Sequence, residues 1–154
     1  MQPERKECMF SKACEYGMRA TIYVAQQSEL GKKVGVKTIA AAIESPEAFT
    51  GKIMQQLTKS GFIKSVKGPS GGFFMDKASI RETKLNDIVT IFDGKDAYRG
   101  CVLGLPVCSD THSCPLHKES LPILHKLRDL LETKTLYNVL YTEGRMNTFW
   151  LKTE

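Results

Sequence analysis

Three cysteines stand close together in the second half of the chain, at Cys101, Cys108 and Cys114. The residues between them are rich in glycine and proline and show no hydrophobic periodicity, which predicts a loop. Three thiolates on one loop can converge on a single centre, and iron–sulfur clusters are held by cysteine thiolates, usually four of them. The segment therefore predicts a metal centre that needs one ligand besides the three cysteines.

The residues that follow the third cysteine favour the start of a helix. Pro115 suits the first helical position, which would place Cys114 at the cap. Free N–H groups at a helix start would then lower the pKa of the Cys114 thiol. His117 follows Cys114 by three residues, so the two side chains would share one face of this turn.

Two alternatives to a cluster stay open. A zinc site with three cysteines and one histidine uses the same donors, but zinc ligands usually come in cysteine pairs two to four residues apart. The gaps here hold six and five residues, which disfavours zinc without excluding it. The other alternative is three unliganded thiols. Cys14, which lies on an apolar helical stripe, is predicted to be a core residue rather than a ligand.

The elements before this loop have the pattern of a DNA-binding module. Residues 38–44 carry apolar positions at helical spacing, and a second helical pattern follows the break at Ser45-Pro46, with Ser45 as its predicted cap and Pro46 in its first turn. Two strand-like runs then flank the glycine-containing turn at residues 67–72. Two helices followed by such a hairpin are typical of a winged helix-turn-helix, whose second helix enters the major groove of DNA. A small helical module that binds nothing is the alternative.

The candidate DNA contacts are chosen by the face of the helix or the part of the wing on which each side chain is expected to lie. Lys37 and Thr38 begin the first helix of the pair and are expected to contact the DNA backbone. Side chains on the polar face of the second helix are expected to approach base edges, and side chains of the wing tip are expected to touch phosphate or the minor groove. These two sets are Thr50, Lys52 and Gln55 on the helix, and Lys67 and Ser70 on the wing.

The predicted fold class is mainly α with a small β-wing, a winged helix-turn-helix plus a long C-terminal dimerisation helix. The long helix carries a leucine-rich face that needs a cover, which a second copy of the same helix would give, although Pro122 should kink it or delay its start. Two-fold symmetry suits a palindromic operator in double-stranded DNA. We predict a flexible tail at 1–10, a winged domain at 11–95 (helix-turn-helix 36–59, wing 62–75), a cysteine loop at 96–117, the dimerisation helix and a short last helix at 118–141, and a C-terminal tail at 142–154.

Composition limits the remaining classes of protein. With 154 residues and 42% hydrophobic content, the chain can form one domain with a core. The net charge of +5 permits a polyanionic partner without requiring one. No run of about 18 apolar residues and no signal-peptide segment occurs, so we expect a cytoplasmic protein that does not enter the membrane. No Ser-His-Asp order and no phosphate-binding loop stands out, so no enzyme is expected.

Three stretches resemble the Rrf2 family of bacterial transcription regulators: TIAAAIESPEAFTGKIMQQLTKSGFIKSVKGPSGGFF, FSKACEYGMRATIYVA and KLNDIVTIFDG. The resemblance covers about residues 9–140. It implies a homodimer that forms through the long helix and a repressor or other regulator tuned by an iron–sulfur cluster, with a 2Fe-2S cluster favoured and a 4Fe-4S cluster possible. It also implies that DNA specificity falls at Ala48, Gly51 and Lys52.

The resemblance further implies that the three loop cysteines bind the cluster and offers two fourth ligands. One branch of the family uses a histidine three residues after the third cysteine, which matches His117 and is favoured here. Another branch uses a first-helix carboxylate, which matches Glu15 of the partner subunit. The sequence thus predicts a dimeric, cluster-tuned DNA-binding regulator. The alternatives are a cluster-free or zinc-binding winged-helix regulator, or a redox or metal-handling protein with a vestigial winged module.

Overall fold

A computed structural model describes residues 9–98, 100–148 and 151–152 of the chain. The described residues are mainly helical, with one small hairpin in the position predicted for the wing, and the predicted fold class is confirmed. The elements are α1 (Lys12–Glu29), α2 (Val36–Ile43), α3 (Glu47–Lys59), β1 (Lys64–Val66), β2 (Gly72–Phe74), α4 (Lys77–Glu82), α5 (Leu85–Asp93), α6 (His117–Thr133), α7 (Leu136–Leu140), β3 (Tyr141–Thr142) and β4 (Arg145–Met146).

Helix α1 is the central element, and α2, α3, α5 and α7 pack against it. Its cap is Ser11, whose Oγ accepts a hydrogen bond from the Cys14 N–H at 3.1 Å. The Ser11 N–H donates to the Asp93 carboxylate at 2.8 Å, which joins the start of α1 to the end of α5. Farther along, the Phe92 ring of α5 occupies the space that a Cβ at Gly17 would need. The two helices therefore approach each other closely.

The helix-turn-helix forms where it was predicted, with a different cap. Glu44 ends α2 in the left-handed conformation, with φ of 50°. Pro46 is the N-cap of α3 rather than a residue of its first turn, and Ser45 does not cap the helix because its hydroxyl contacts that of Thr50 instead. The apolar side of α3 is buried as expected, through Ile53, Met54 and Leu57.

The wing is a short antiparallel hairpin that is tied to the segment before α2. Val66 pairs with Gly72 at the end of the hairpin next to the turn. The tight turn needs glycine at position 71, because a Cβ there would overlap the Val66 carbonyl. Phe73 on β2 exchanges two backbone hydrogen bonds with Val34, at 2.7 and 3.1 Å. These two hydrogen bonds fix the position of the wing relative to the start of α2.

Three elements differ from the prediction. The connection at residues 76–83 contains α4, whose cap Asp76 accepts a hydrogen bond from the Ser79 N–H at 2.9 Å. Helix α6 begins at His117 rather than at Pro115, and Pro122 lies inside it. The predicted C-terminal tail begins with the β3–β4 hairpin, in which Glu143 has a φ of 50°. Most of the predicted N-terminal tail lies outside the described residues.

A second group of buried side chains connects the winged domain to α6. It consists of Cys14 on α1, Val89 on α5, Tyr98 in the segment after α5, and Leu131 on α6. Leu131 is the buried residue of α6. No helix in the part of the chain that the structure describes is long and apolar enough to cross a membrane.

Candidate metal centre and DNA-contact surface

The cysteine loop brings its three thiols together. The Sγ atoms of Cys101, Cys108 and Cys114 all lie within 4.8 Å of one another, and those of Cys101 and Cys114 are 3.6 Å apart. The loop turns back after Cys101, whose carbonyl accepts from the Gly104 N–H at 2.9 Å. Cysteines that are six to thirteen positions apart in sequence thus form one cluster of potential ligands.

His117 lies beside this cluster within a single protomer. Its Nδ1 lies 3.2 Å from the Cys108 Sγ, and its Nε2 lies 3.0 Å from an Asp110 carboxylate oxygen. Glu15, the other predicted fourth ligand, lies in the first turn of α1 and pairs with Lys12 at 3.3 Å. A role for Glu15 of the partner subunit needs a second protomer and stays a prediction.

The environments of the two closest thiols differ. The backbone N–H groups of Leu105 and Leu103 donate to the Cys101 sulfur and lower the pKa of that thiol from its ordinary value of 9.0 to about 7. Burial raises the pKa of the Cys114 thiol, although the Leu116 N–H donates to its sulfur. The expectation of a lowered Cys114 pKa was wrong, because burial outweighs the hydrogen bond to the sulfur and because Cys114 does not cap α6, which begins only at His117.

The donors surround a small cavity. It has a volume of about 40 Å³ and is lined by the three cysteines and His117, together with Gly100, Ser120, Leu121 and Leu124. The two leucines come from α6 and give the cavity an apolar wall. Three sulfurs and one imidazole nitrogen fit an iron–sulfur cluster, and the same donors fit a single zinc ion.

Most of the predicted DNA contacts are exposed on the winged domain. Lys37 and Thr38 are exposed in the first turn of α2, and Lys67 and Ser70 are exposed at the wing tip. On α3, polar residues line an open depression, namely Lys52, Gln55, Gln56, Thr58 and Lys59, and all of them except the half-buried Thr58 are exposed. The structure therefore leaves these side chains available to a partner.

Thr50 is the exception among the predicted contacts. Only 1% of its surface is exposed, and its hydroxyl donates to the Pro46 carbonyl at 2.9 Å and contacts the Ser45 hydroxyl. The expectation that Thr50 lies on the exposed face was wrong, because this hydroxyl satisfies the polar groups at the start of α3. A threonine four residues after a carbonyl commonly makes this bond, so the sequence held a signal for it.

Two residues of the site were not found from the sequence. Asp110 contacts His117, and Tyr98 anchors the segment before the cysteine loop by a hydrogen bond from its hydroxyl to the Asn86 side chain. The local sequence did not indicate the burial of Tyr98, because Asp96, Arg99 and Gly100 lie close to it in the chain. No spacing rule connects Asp110 with His117, because a loop determines their contact.

Similarity to known proteins extends over most of the chain. Residues 10–142 match the family described as Rrf2, iron-dependent transcriptional regulator. The HTH-type transcriptional regulator NsrR of Geobacillus kaustophilus is 31% identical over 145 residues, which cover 85% of this chain and 95% of that protein. Among solved structures, CymR, the global cysteine regulator of B. subtilis, has a TM-score of 0.63 at 21% identity and covers 84% of this chain and 94% of its own. T. potens IscR has a TM-score of 0.60 at 23% identity, and the match covers 90% of this chain and 92% of that protein's chain.

Proposed function

The chain belongs to the Rrf2 family of transcriptional regulators, and from that premise we propose that an iron–sulfur cluster adjusts its binding to DNA as a homodimer. The observation that carries this proposal is the convergence of three Sγ atoms within 4.8 Å, with His117 Nδ1 3.2 Å from one of them. The family description as iron-dependent and the likeness to NsrR and IscR support it. The relatives are named as regulators, and the chain is not an enzyme.

The residues of the loop would hold the cluster in complementary ways. Cys101, Cys108 and Cys114 supply thiolates, and His117 supplies a neutral nitrogen that leaves more readily than a thiolate. Glu15 of the partner subunit is the alternative fourth ligand. A bound cluster, 2Fe-2S in the favoured form, would supply a centre that responds to oxidants, nitric oxide or iron supply. The leucine wall of the cavity would keep water from one side of it.

Tyr98 and α6 give the loop a physical connection to the DNA-binding elements. Tyr98 is buried, and its hydroxyl bonds to Asn86 on α5, which itself packs on α1. The loop ends at α6, which also packs on α5. A change in loop conformation would therefore bias the arrangement of α5 and α6, and in a dimer this arrangement sets the spacing of the two recognition helices.

The exposed polar residues of the winged domain would bind the operator. Lys52 and Gln55, which are exposed on α3, would approach base edges in the major groove. The first-turn amides of α2, next to Lys37 and Thr38, have no partner within the helix and suit a phosphate. Lys67 and Ser70 would contact the neighbouring backbone from the wing. A two-fold dimer would read a palindromic site.

A zinc-binding regulator is the second candidate. Zn–S bonds of about 2.3 Å in a tetrahedron place two sulfurs about 3.8 Å apart. The Cys101–Cys114 sulfur distance of 3.6 Å is close to that value. Two thiolates on one iron of a cluster would be about equally far apart, so this distance alone does not separate the candidates. A single ion is favoured by the third sulfur, which also lies within 4.8 Å of the other two, because a cluster spreads its ligands over more than one iron. The family description favours iron.

Metal analysis of the anaerobically purified chain tests both candidates. The matched variants are Cys108→Ala in the loop and Cys14→Ala in the core of α1. We expect iron and acid-labile sulfide in equal amounts, with a visible absorption that Cys108→Ala abolishes and Cys14→Ala retains. A colourless protein with one zinc per chain would contradict the cluster and support the second candidate. A chain that holds neither metal after reconstitution would rule out both.

A further inference from the structure

The two ring nitrogens of His117 face different chemical groups. Nδ1 points at the thiol cluster, 3.2 Å from the Cys108 Sγ, whereas Nε2 lies 3.0 Å from Asp110 Oδ1. The imidazole is 15% exposed, so the ring lies between the sulfurs on one side and the carboxylate on the other. Such a ring can offer its lone pair in only one of these two directions when it is neutral.

A tight turn holds Asp110 in place. Ser109 and His112 exchange two backbone hydrogen bonds, each of 3.2 Å, around Asp110 and Thr111. The Ser109 hydroxyl also lies 3.0 Å from the Thr111 hydroxyl and accepts from the His112 N–H at 3.2 Å. The Asp110 side chain itself is 92% exposed, so this turn rather than burial positions its carboxylate.

An ionised carboxylate only accepts hydrogen bonds, so it requires a proton on the nitrogen that faces it. A proton on Nε2 leaves the lone pair on Nδ1, which is the nitrogen directed at the thiols. We propose that Asp110 is a positioning residue for the metal centre, which fixes His117 in the tautomer and orientation that present Nδ1 to the metal. This inference rests on the proposed function, because it requires His117 to be the fourth ligand.

The proposal has a consequence for the choice of ligand. A carboxylate behind a ligand histidine typically strengthens metal binding about 10- to 100-fold. Asp110 thus favours His117 over Glu15 of the partner subunit, and coordination proceeds through Nδ1.

Nitrogen NMR of the full chain, labelled with ¹⁵N-histidine, tests the tautomer directly in the reduced, metal-free state at about pH 8, above the ordinary pKa of histidine. His117→Gln assigns the signals. We expect His117 to carry its proton on Nε2 in the wild type and to become a mixture of tautomers in Asp110→Ala. The matched control is Asp129→Ala, an exposed aspartate of α6, which should leave the signals unchanged. An unchanged His117 tautomer in Asp110→Ala would overturn the proposal.

Release of iron to a chelator from the reconstituted chain tests the effect on the metal. We expect Asp110→Ala to release iron about 10- to 100-fold faster than the wild type. In a His117→Ala background the same change should add nothing, since Asp110 acts through that ring. An equal effect in both backgrounds, or none in either, would overturn the positioning role while leaving a cluster in place. A wild type that binds no iron would instead overturn the proposed function, and the NMR result would still decide the role of Asp110.

Discussion

The loop cysteines are chemically unequal although they share one site. Cys101 receives backbone N–H groups that lower the pKa of its thiol to about 7, whereas burial raises the pKa of the Cys114 thiol. At neutral pH Cys101 is therefore more readily deprotonated than Cys114, and it is the better nucleophile and metal ligand of the two. This difference arises from the local backbone, so residue type and spacing alone could not show it.

The contact between these two sulfurs predicts a specific cross-link in the metal-free chain. When the chelated protein is treated with diamide, the two thiols lose their hydrogens to the reagent and form a Cys101–Cys114 disulfide. The sulfurs are 3.6 Å apart and need to approach to about 2.05 Å. Peptide mass spectrometry should find this bond in the wild type and in Cys108→Ser. A main product that joins Cys108 to either of the others would contradict the geometry.

The site residues show where reasoning from sequence succeeds and where it ends. Spacing and residue type indicated that the three cysteines converge, the family resemblance added His117 as one of two possible fourth ligands, and the structure brings these four side chains close together. The same reasoning placed Thr50 on the exposed face, because it did not consider a hydroxyl that bonds to the Pro46 carbonyl. Asp110 could not be predicted, since its position depends on the conformation of a loop.

At the scale of elements, two helical glycines have opposite roles. A Cβ at Gly17 in α1 would overlap the Phe92 ring, whereas a Cβ at Gly51 in α3 would meet no atom within 4 Å. Gly17→Ala should therefore lower the free energy of unfolding by about 1–3 kcal/mol through overpacking. Gly51→Ala should raise it by about 0.5–1 kcal/mol, because alanine favours a helix. Urea unfolding of both variants checks this, and equal effects would contradict the packing of α1 on α5.

The wing predicts a measurable electrostatic contribution to DNA binding. Lys67 is exposed at the tip of a hairpin that hydrogen bonds tie to the start of α2. In a dimer, Lys67→Ala should remove two phosphate contacts and reduce the slope of log K against log salt by about 2. The control is Lys126→Ala, an exposed lysine on α6 outside the winged domain. A slope that does not differ between the two variants would exclude contact by the wing.

Strong hydrophobic periodicity made α1, α3 and α5 predictable from the sequence. The presence of α4 and the start of α6 were not predicted correctly, because their local sequence signals are weaker. Helix α4 is a six-residue helix with one buried residue, Ile80, so periodicity could not distinguish it from a polar connection. Pro115 suited a helix start, yet α6 begins at His117 because the preceding turn holds Cys114, whose carbonyl accepts from the His117 N–H at 3.1 Å. Such a start depends on the conformation of the loop before the helix.

For the whole molecule, the exposed apolar residues of α6 argue for a dimer. Ile123 is 67% exposed and Leu130 is 48% exposed, and with Leu127 they form one stripe at helical spacing. Ile123→Glu should convert the dimer to monomers, because the charge would be buried without a partner. The control is Asp129→Lys, an exposed position of α6 that is not three or four residues from any residue of the stripe. Sedimentation equilibrium measures the oligomeric state of each variant. A wild-type chain that is monomeric at micromolar concentration would contradict dimerisation through α6.

The central claim is that the metal centre controls DNA binding, and one comparison tests it most directly. Fluorescence anisotropy on an operator selected from genomic fragments would measure the affinity of the wild type and of Cys108→Ala, each with and without iron and sulfide reconstitution. We predict at least a tenfold difference, about 1.4 kcal/mol, between the two wild-type states, and none between those of Cys108→Ala. Equal affinities for both wild-type states would contradict the account.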